Sequence, residues 1–289
     1  MIKVNGEKFN VEHFPDGSQC LMNFNVSYGL DTYKISWRYE SDEELVTLIY
    51  IVNHIRNIKG NSIYIDLVLP YIPNARMDRV KHDNEVFTLK YFANIINSLK
   101  FDHVYVLDVH SDVSLALLNN VIKLPINFYI SKVIDTFNKV NANDFVIYFP
   151  DAGAFKRYKD IDSLEFFNKI YGQKVRDWST GQILGLDIID SNGEKMKKNS
   201  LNGKTILMID DIISYGGTLH FSAHELKNLG AETIFAYATH IEASSLWDEK
   251  KGMLAKDLKY GIVNGLYTTD SIYNLESKND VVVIKINDF

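Results

Sequence analysis

Two neighbouring acids, Asp210 and Asp211, stand shortly before a glycine pair in the stretch Thr205-Ile206-Leu207-Met208-Ile209-Asp210-Asp211-Ile212-Ile213-Ser214-Tyr215-Gly216-Gly217-Thr218-Leu219. Those residue types at that spacing can hold a phosphorylated sugar. Glycines let backbone N–H groups approach an anion closely, and a following helix adds its positive dipole end. Two carboxylates can accept hydrogen bonds from vicinal ribose hydroxyls. An ordinary strand-to-helix connection uses the same residue types, but the tandem acids favour the sugar site.

Further groups could handle phosphate. Pro70-Tyr71-Ile72-Pro73-Asn74-Ala75-Arg76-Met77-Asp78-Arg79 sets two arginines around an acid. The planar guanidinium fork suits phosphate, although a solvated surface loop could carry the same residues. Lys174 and Arg176 are two positions apart. In an extended segment they point to one side and can reach one polyphosphate; two ordinary surface cations are the plainer alternative. His110 follows an apolar run and could ligate a metal or contact phosphate, though a lone histidine is more often structural. Phe14-Pro15-Asp16-Gly17-Ser18 is a Pro-Asp-Gly turn.

Strands and helices must position these groups. Strand-like runs cover Lys3 to Val11, Cys20 to Tyr28, Ile63 to Leu69, His103 to Leu107, Phe145 to Phe149, Thr205 to the acid pair, Thr233 to Thr239, Gly261 to Tyr267 and Val281 to Ile286. Phe166 to Tyr171 reads as a strand or short helix. Helical periodicity marks Asp42 to Ile58, Phe87 to Leu99, Val133 to Val140 and Leu219 to Leu229. The alternation predicts an α/β fold with mainly parallel sheets.

A chain of 289 residues with 46% hydrophobic and 24% charged residues fits a soluble globular protein of one large or two ordinary domains. A net charge of −6 argues against a general nucleic-acid binder. The single cysteine, Cys20, excludes an intrachain disulfide and reads as a buried small side chain. The first residues lack a signal-peptide core, and no run is long enough to span a bilayer, so the expected location is the cytoplasm.

The motifs together resemble, in order, those of the ribose-phosphate diphosphokinases (phosphoribosyl pyrophosphate synthetases), over roughly residues 8 to 287. Ser214 to Thr218 is similar to the family's ribose-phosphate loop, Asp-Thr-Gly-Gly-Thr, with Ser214 and Tyr215 as departures. Phe14 and Asp16 match the nucleotide-contacting hairpin, where Ser18 replaces a glutamate. Arg76, Asp78 and Arg79 match the ATP loop, where Met77 replaces a glutamine. Asp108-Val109-His110 resembles the Asp-Leu-His whose histidine meets magnesium–nucleotide. Pro150-Asp151-Ala152-Gly153-Ala154 resembles Pro-Asp-x-Gly-Gly, making Asp151 a second metal contact. Lys174 and Arg176 match the paired cations that begin a mobile loop.

The resemblance implies two type I phosphoribosyltransferase-like domains, residues 1–132 and 133–289, with a final strand that crosses back toward the first. It also implies Mg2+, ATP as co-substrate and a homo-oligomer; the partners are small molecules, with no nucleic acid and no membrane. Relative to the family pattern, the usual first strand and helix and the usual last helix are missing. Lys174 and Arg176 would be catalytic; Asp210, Asp211, Ser214, Tyr215, Gly216, Gly217 and Thr218 would bind the sugar phosphate. Phe14, Asp16, Arg76, Asp78, Arg79 and His110 would bind nucleotide, and His110 and Asp151 the metal. The implied reaction moves the diphosphoryl group of ATP to the anomeric hydroxyl of ribose 5-phosphate, or of a larger acceptor such as ADP-ribose that Tyr215 could accommodate. A phosphoribosyltransferase and a non-catalytic regulatory relative are the alternatives.

Overall fold

The computed structural model describes residues 1–286 except 9, 23, 27–28, 177–182, 243–251, 273–274 and 279. The chain divides into two compact units: Met1–Leu124 with the segments beginning at Asp270 and Ile286, and Pro125–Thr269 with Leu275–Lys285. Among the described residues no helix is long and apolar enough to cross a membrane.

The first unit carries a six-stranded sheet, in the order β2 (Glu7–Lys8), β1 (Ile2–Val4), β5 (Thr32–Trp37), β6 (Tyr64–Val68), β7 (His103–Leu107), β8 (Val121–Leu124). From β5 to β8 the strands are parallel; β1 and β2 add an antiparallel edge. Helix α1 (Glu43–Lys59) buries Leu48, Ile51, Val52 and Ile55, one apolar face at helical spacing. Acids Glu43 and Glu44 in its first turn and Arg56 and Lys59 in its last complement the helix dipole. With α2 (Thr88–Ser98) it shares a core with Ile35, Trp37, Ile65 and Leu67. Each fully buried side chain of this size stabilises by roughly 1.5–3 kcal/mol. The two long N-terminal strands expected from the sequence are instead short pieces, including the hairpin β3 (Glu12–His13) and β4 (Gln19–Cys20). Cys20 is half-buried there, not buried, because this two-stranded piece has no large core to enter.

The second unit holds seven strands, in the order β11 (Ile183–Ile189), β10 (Asn168–Arg176), β9 (Phe145–Phe149), β12 (Thr205–Ile213), β13 (Thr233–Ile241), β14 (Gly265–Thr269), β15 (Val281–Ile284). All neighbours are parallel except β10 and β11. Helices α5 (Ala152–Tyr158), α6 (Gly217–Asn228) and α7 (Met253–Lys259) connect strands of this sheet, α4 (Asn127–Asp135) leads into β9, and α3 (Asp112–Leu117) belongs to the first unit. The division after Leu124 leaves α4 whole, whereas a boundary at 132/133 would cut it. That helix spans Asn127–Asp135 and so starts and ends earlier than the helix expected at Val133 to Val140. The last strand does not cross back: β15 pairs in parallel with β14, Leu266 against Val281 through Thr269 against Ile284.

Candidate functional site

The acid pair lies within β12, not at its end. Ile212 and Ile213 continue the ladder against His240 and Ile241 of β13. Asp211 is buried, and its Oδ1 lies 2.9 Å from Nη1 of Arg157 on α5. One acid of the pair is therefore neutralised from an element that the sequence gives no reason to place there. Asp210 accepts the Asp211 backbone N–H at 2.9 Å. Even so, its carboxyl is pushed well above the usual range. Loss of solvent is the largest cause, followed by the charge of Asp211, a hydrogen bond with that carboxyl, and the charge of Asp151. Asp151 caps α5 with Oδ1, which accepts the Ala154 N–H at 2.9 Å. Three carboxylates, one just after β9 and two within β12, thus lie near one another, with the Arg157 guanidinium on Asp211. An oxygen-only donor set fits a hard divalent cation such as Mg2+.

Beyond β12 the turn is fixed on both sides. Ser214 does not point its hydroxyl into an anion cup; it donates to Oε2 of Glu242 at 2.5 Å, at the end of β13. Tyr215 is half-exposed, and its carbonyl accepts the Met253 N–H at 2.9 Å. Gly216 has φ 78 and ψ 10, the left-handed conformation that a side chain strains, and is the residue preceding α6. A Cβ on it would lie 2.6 Å from Cβ of Leu254. The first turn of α6 has no side-chain cap, so its leading N–H groups have no intrahelical partner. Gly217 and Thr218 form that first turn, with Thr218 exposed. Free N–H groups at a helix start can receive an anion.

Lys174 is exposed on β10, which pairs antiparallel with β11. Arg176 ends the same strand, after a register irregularity between Val175 and Arg176; only its backbone is described. The rest of the expected mobile loop, from Asp177, lies outside the described residues up to Gln182. The hairpin arm β11 is absent from the sequence-based expectation, although Ile183-Leu184-Gly185-Leu186-Asp187-Ile188-Ile189 is a β-prone run.

In the first unit, Phe14 is 54% exposed at the tip of the β3–β4 hairpin. Asp16 accepts from both the Ser18 hydroxyl, at 2.6 Å, and the Ser18 N–H, at 2.9 Å. The hydroxyl chiefly holds its carboxyl below the usual value. Ser18, read as a departure, thus orders Asp16. In the arginine loop, Nε of Arg79 lies 3.0 Å from Oδ1 of Asp78. Burial works to raise the Asp78 carboxyl, but the Arg79 contact, the Ser111 hydroxyl and the charges of Arg79 and His110 bring it below its ordinary value. His110 therefore belongs with Asp78 and Arg79, and Arg76 is exposed on the same loop. Asn74 in the arginine loop, at 63°, and Asp108 directly after β7, at 45°, are non-glycine residues with positive φ. Such backbone is uncommon and tends to occur where a surrounding site holds it.

Residues 126–263 match the family described as Phosphoribosyl transferase domain. The chain is similar to a ribose-phosphate pyrophosphokinase of Pyrococcus abyssi, 28% identical over 244 residues, covering 83% of this chain and 79% of the relative. It is likewise similar to one of Sulfolobus acidocaldarius, 27% identical over 233 residues, covering 80% and 76%. The fold is shared with a crystal structure of phosphoribosylpyrophosphate synthetase from Mycobacterium smegmatis, at a TM-score of 0.74 and 18% identity, over 96% of this chain and 86% of that one. Motif order, two α/β units and these relatives agree: the chain is similar to the ribose-phosphate pyrophosphokinases, and its second unit carries the match to a phosphoribosyl transferase domain.

Proposed function

We propose that the protein transfers the diphosphoryl group of ATP to the anomeric hydroxyl of ribose 5-phosphate, or of a larger 5′-phosphoribosyl acceptor such as ADP-ribose, releasing AMP. The observation that carries this reading is the cluster of Asp151, Asp210 and Asp211 on the same strand-to-helix frame as the uncapped first turn of α6. In the reaction the anomeric oxygen bonds to the β-phosphorus, and the bond from that phosphorus to the α–β bridging oxygen breaks. AMP leaves with the bridging oxygen, and the hydroxyl proton passes to solvent.

Each residue has a role set by its charge. Gly217 and Thr218 offer N–H groups to the 5-phosphate, and Ser214 joins them on releasing Glu242. Asp210 orients the ribose hydroxyls, and Arg157 holds Asp211 in place beside it. Asp151, Asp210 and Asp211 would hold Mg2+, which when bound supplies positive charge against the polyphosphate. Lys174 and Arg176 add cations where negative charge grows in the transition state. Arg76, Arg79 and Phe14 receive the nucleotide, with Asp78 holding Arg79. His110 contributes to the phosphates; as a direct magnesium ligand an imidazole fits less well than oxygen. The chain works inside the cell on small molecules, as a homo-oligomer in the cytoplasm.

Tyr215 favours the larger acceptor. A lone 5-phosphate dianion is best met by small donors, whereas a half-exposed phenol can line the path of a group attached to that phosphate. The test is AMP release from ATP and Mg2+ with each acceptor supplied separately. Activity on ribose 5-phosphate with none on ADP-ribose removes the larger acceptor. No AMP with either supports the non-catalytic relative.

A further inference from the structure

Helix α6 carries His220 and His224 one turn apart, so both rings stand on one face, with centroids 4.5 Å apart. Asp257 of α7 faces them. Its two carboxylate oxygens lie 3.0 and 2.9 Å from Nδ1 of His220, and one lies 3.4 Å from Nε2 of His224. One ligand atom from each residue falls within 4.8 Å of the other two. We propose that His220, His224 and Asp257 form a site for one borderline divalent ion, Zn2+ in class, that ties α6 to α7.

Zn2+ binds imidazole nitrogen and carboxylate oxygen at about 2.0–2.2 Å, which in a tetrahedral site sets the ligand atoms about 3.3 Å apart. The present separations bracket that distance, so small side-chain rotations admit an ion. Two nitrogens and one oxygen select against Mg2+, which demands oxygen, and in favour of later first-row metals. This set is therefore chemically distinct from the carboxylate cluster around Asp210. Asp257 is 3% exposed, and a carboxylate so far from water is best balanced by a cation. Its backbone is rigid: its carbonyl accepts N–H groups from Ile262, at 2.9 Å, and Val263, at 3.2 Å. The half-exposed His224 gives an entry from solvent and leaves the remaining coordination position to water.

The ion would act on the frame of the sugar-phosphate turn. Gly216 abuts Leu254 of α7, and Tyr215 accepts the Met253 N–H, so fixing α7 to α6 also fixes the turn between β12 and α6. The site is independent of the proposed reaction, because its geometry involves none of the residues assigned to ATP or ribose.

The test is equilibrium dialysis of the full chain against Zn2+ with Mg2+ in large excess, paired with Co2+ absorption. The expected result is one Zn2+ per chain, visible Co2+ bands of a tetrahedral nitrogen–oxygen site, and a higher thermal midpoint with Zn2+. His224→Gln, at a half-exposed position, should fold as the parent and weaken binding by more than the roughly 10–100-fold that loss of a supporting contact costs. The His220→Gln/His224→Gln double variant should abolish binding and the thermal shift. Equal Zn2+ affinity in parent and double variant, or no binding by the folded parent, overturns the proposal.

Discussion

Gly216 and Gly217 are neighbours with opposite expected responses to one added methyl. At Gly216, φ is 78 and the new Cβ would sit 2.6 Å from Leu254 Cβ and 3.0 Å from the Leu254 nitrogen. Left-handed backbone costs an alanine about 1–2 kcal/mol, and forcing α7 outward adds about 1–3 kcal/mol of overpacking. Gly216→Ala should therefore lower stability by about 2–5 kcal/mol. At Gly217 the Cβ would meet only Met253 Sδ, at 3.6 Å, an ordinary contact. Alanine also suits a helix better than glycine by roughly 0.5–1 kcal/mol, so Gly217→Ala should fold as well as the parent or better. If the turn binds phosphate through backbone N–H groups, this second methyl crowds the approach. Loss of one hydrogen bond to a charged group, about 1.5–3 kcal/mol, would raise KM for the sugar phosphate roughly 10- to 100-fold. Urea unfolding and steady-state AMP release measure the two effects separately. A parent-like KM for a folded Gly217→Ala protein would remove the turn from the phosphate site. A fully stable Gly216→Ala protein would refute the packing of α7 against it.

Other substitutions probe the acid cluster and the cations. Arg157→Met leaves Asp211 buried without its guanidinium and should cost about 2–4 kcal/mol, somewhat less than a fully enclosed pair because Arg157 is partly exposed; adding Asp211→Asn should recover most of it, as read by urea unfolding. For Asp210 the folded carboxyl holds its proton more tightly than the unfolded one, so its contribution becomes unfavourable as pH rises above the ordinary 3.8. Asp210→Asn should thus raise metal-free stability at neutral pH while abolishing turnover, and the stability gain should vanish as pH falls below 3.8; a gain that persists in acid would contradict the charge account. Lys174→Ala should leave stability within about 0.5 kcal/mol, since the side chain is exposed. It should lower kcat about 100- to 1000-fold with little change in KM, as loss of a transition-state charge does. An unchanged kcat removes Lys174 from catalysis.

Strands β7 and β9 are legible to the residue because each is a short, nearly continuous apolar run with a sharp break at its end. Helix α1 is legible from its repeating buried face. Helix α7 is not: Met253-Leu254-Ala255-Lys256-Asp257-Leu258-Lys259 is too short to show a period, and its place comes from packing on Gly216. The acid pair reads as a strand end because charge usually marks one, yet pairing with β13 carries the strand past it and Arg157 offsets the burial. Partners far apart in sequence, Arg157 with Asp211 and Ser214 with Glu242, leave no local signal. The same holds for His220, His224 and Asp257, although the spacing of the two histidines is visible once α6 is known to be a helix. What was legible of the site is the set of motifs and their order, because turns and strand ends are specified locally.

Phosphorus NMR of the full chain with ATP, Mg2+ and ribose 5-phosphate or ADP-ribose follows every phosphate at once. AMP should appear in step with a new diphosphate ester at the anomeric carbon, and the original 5-phosphate signal should survive. ADP with inorganic phosphate, or an unchanged spectrum with both acceptors, would contradict diphosphoryl transfer.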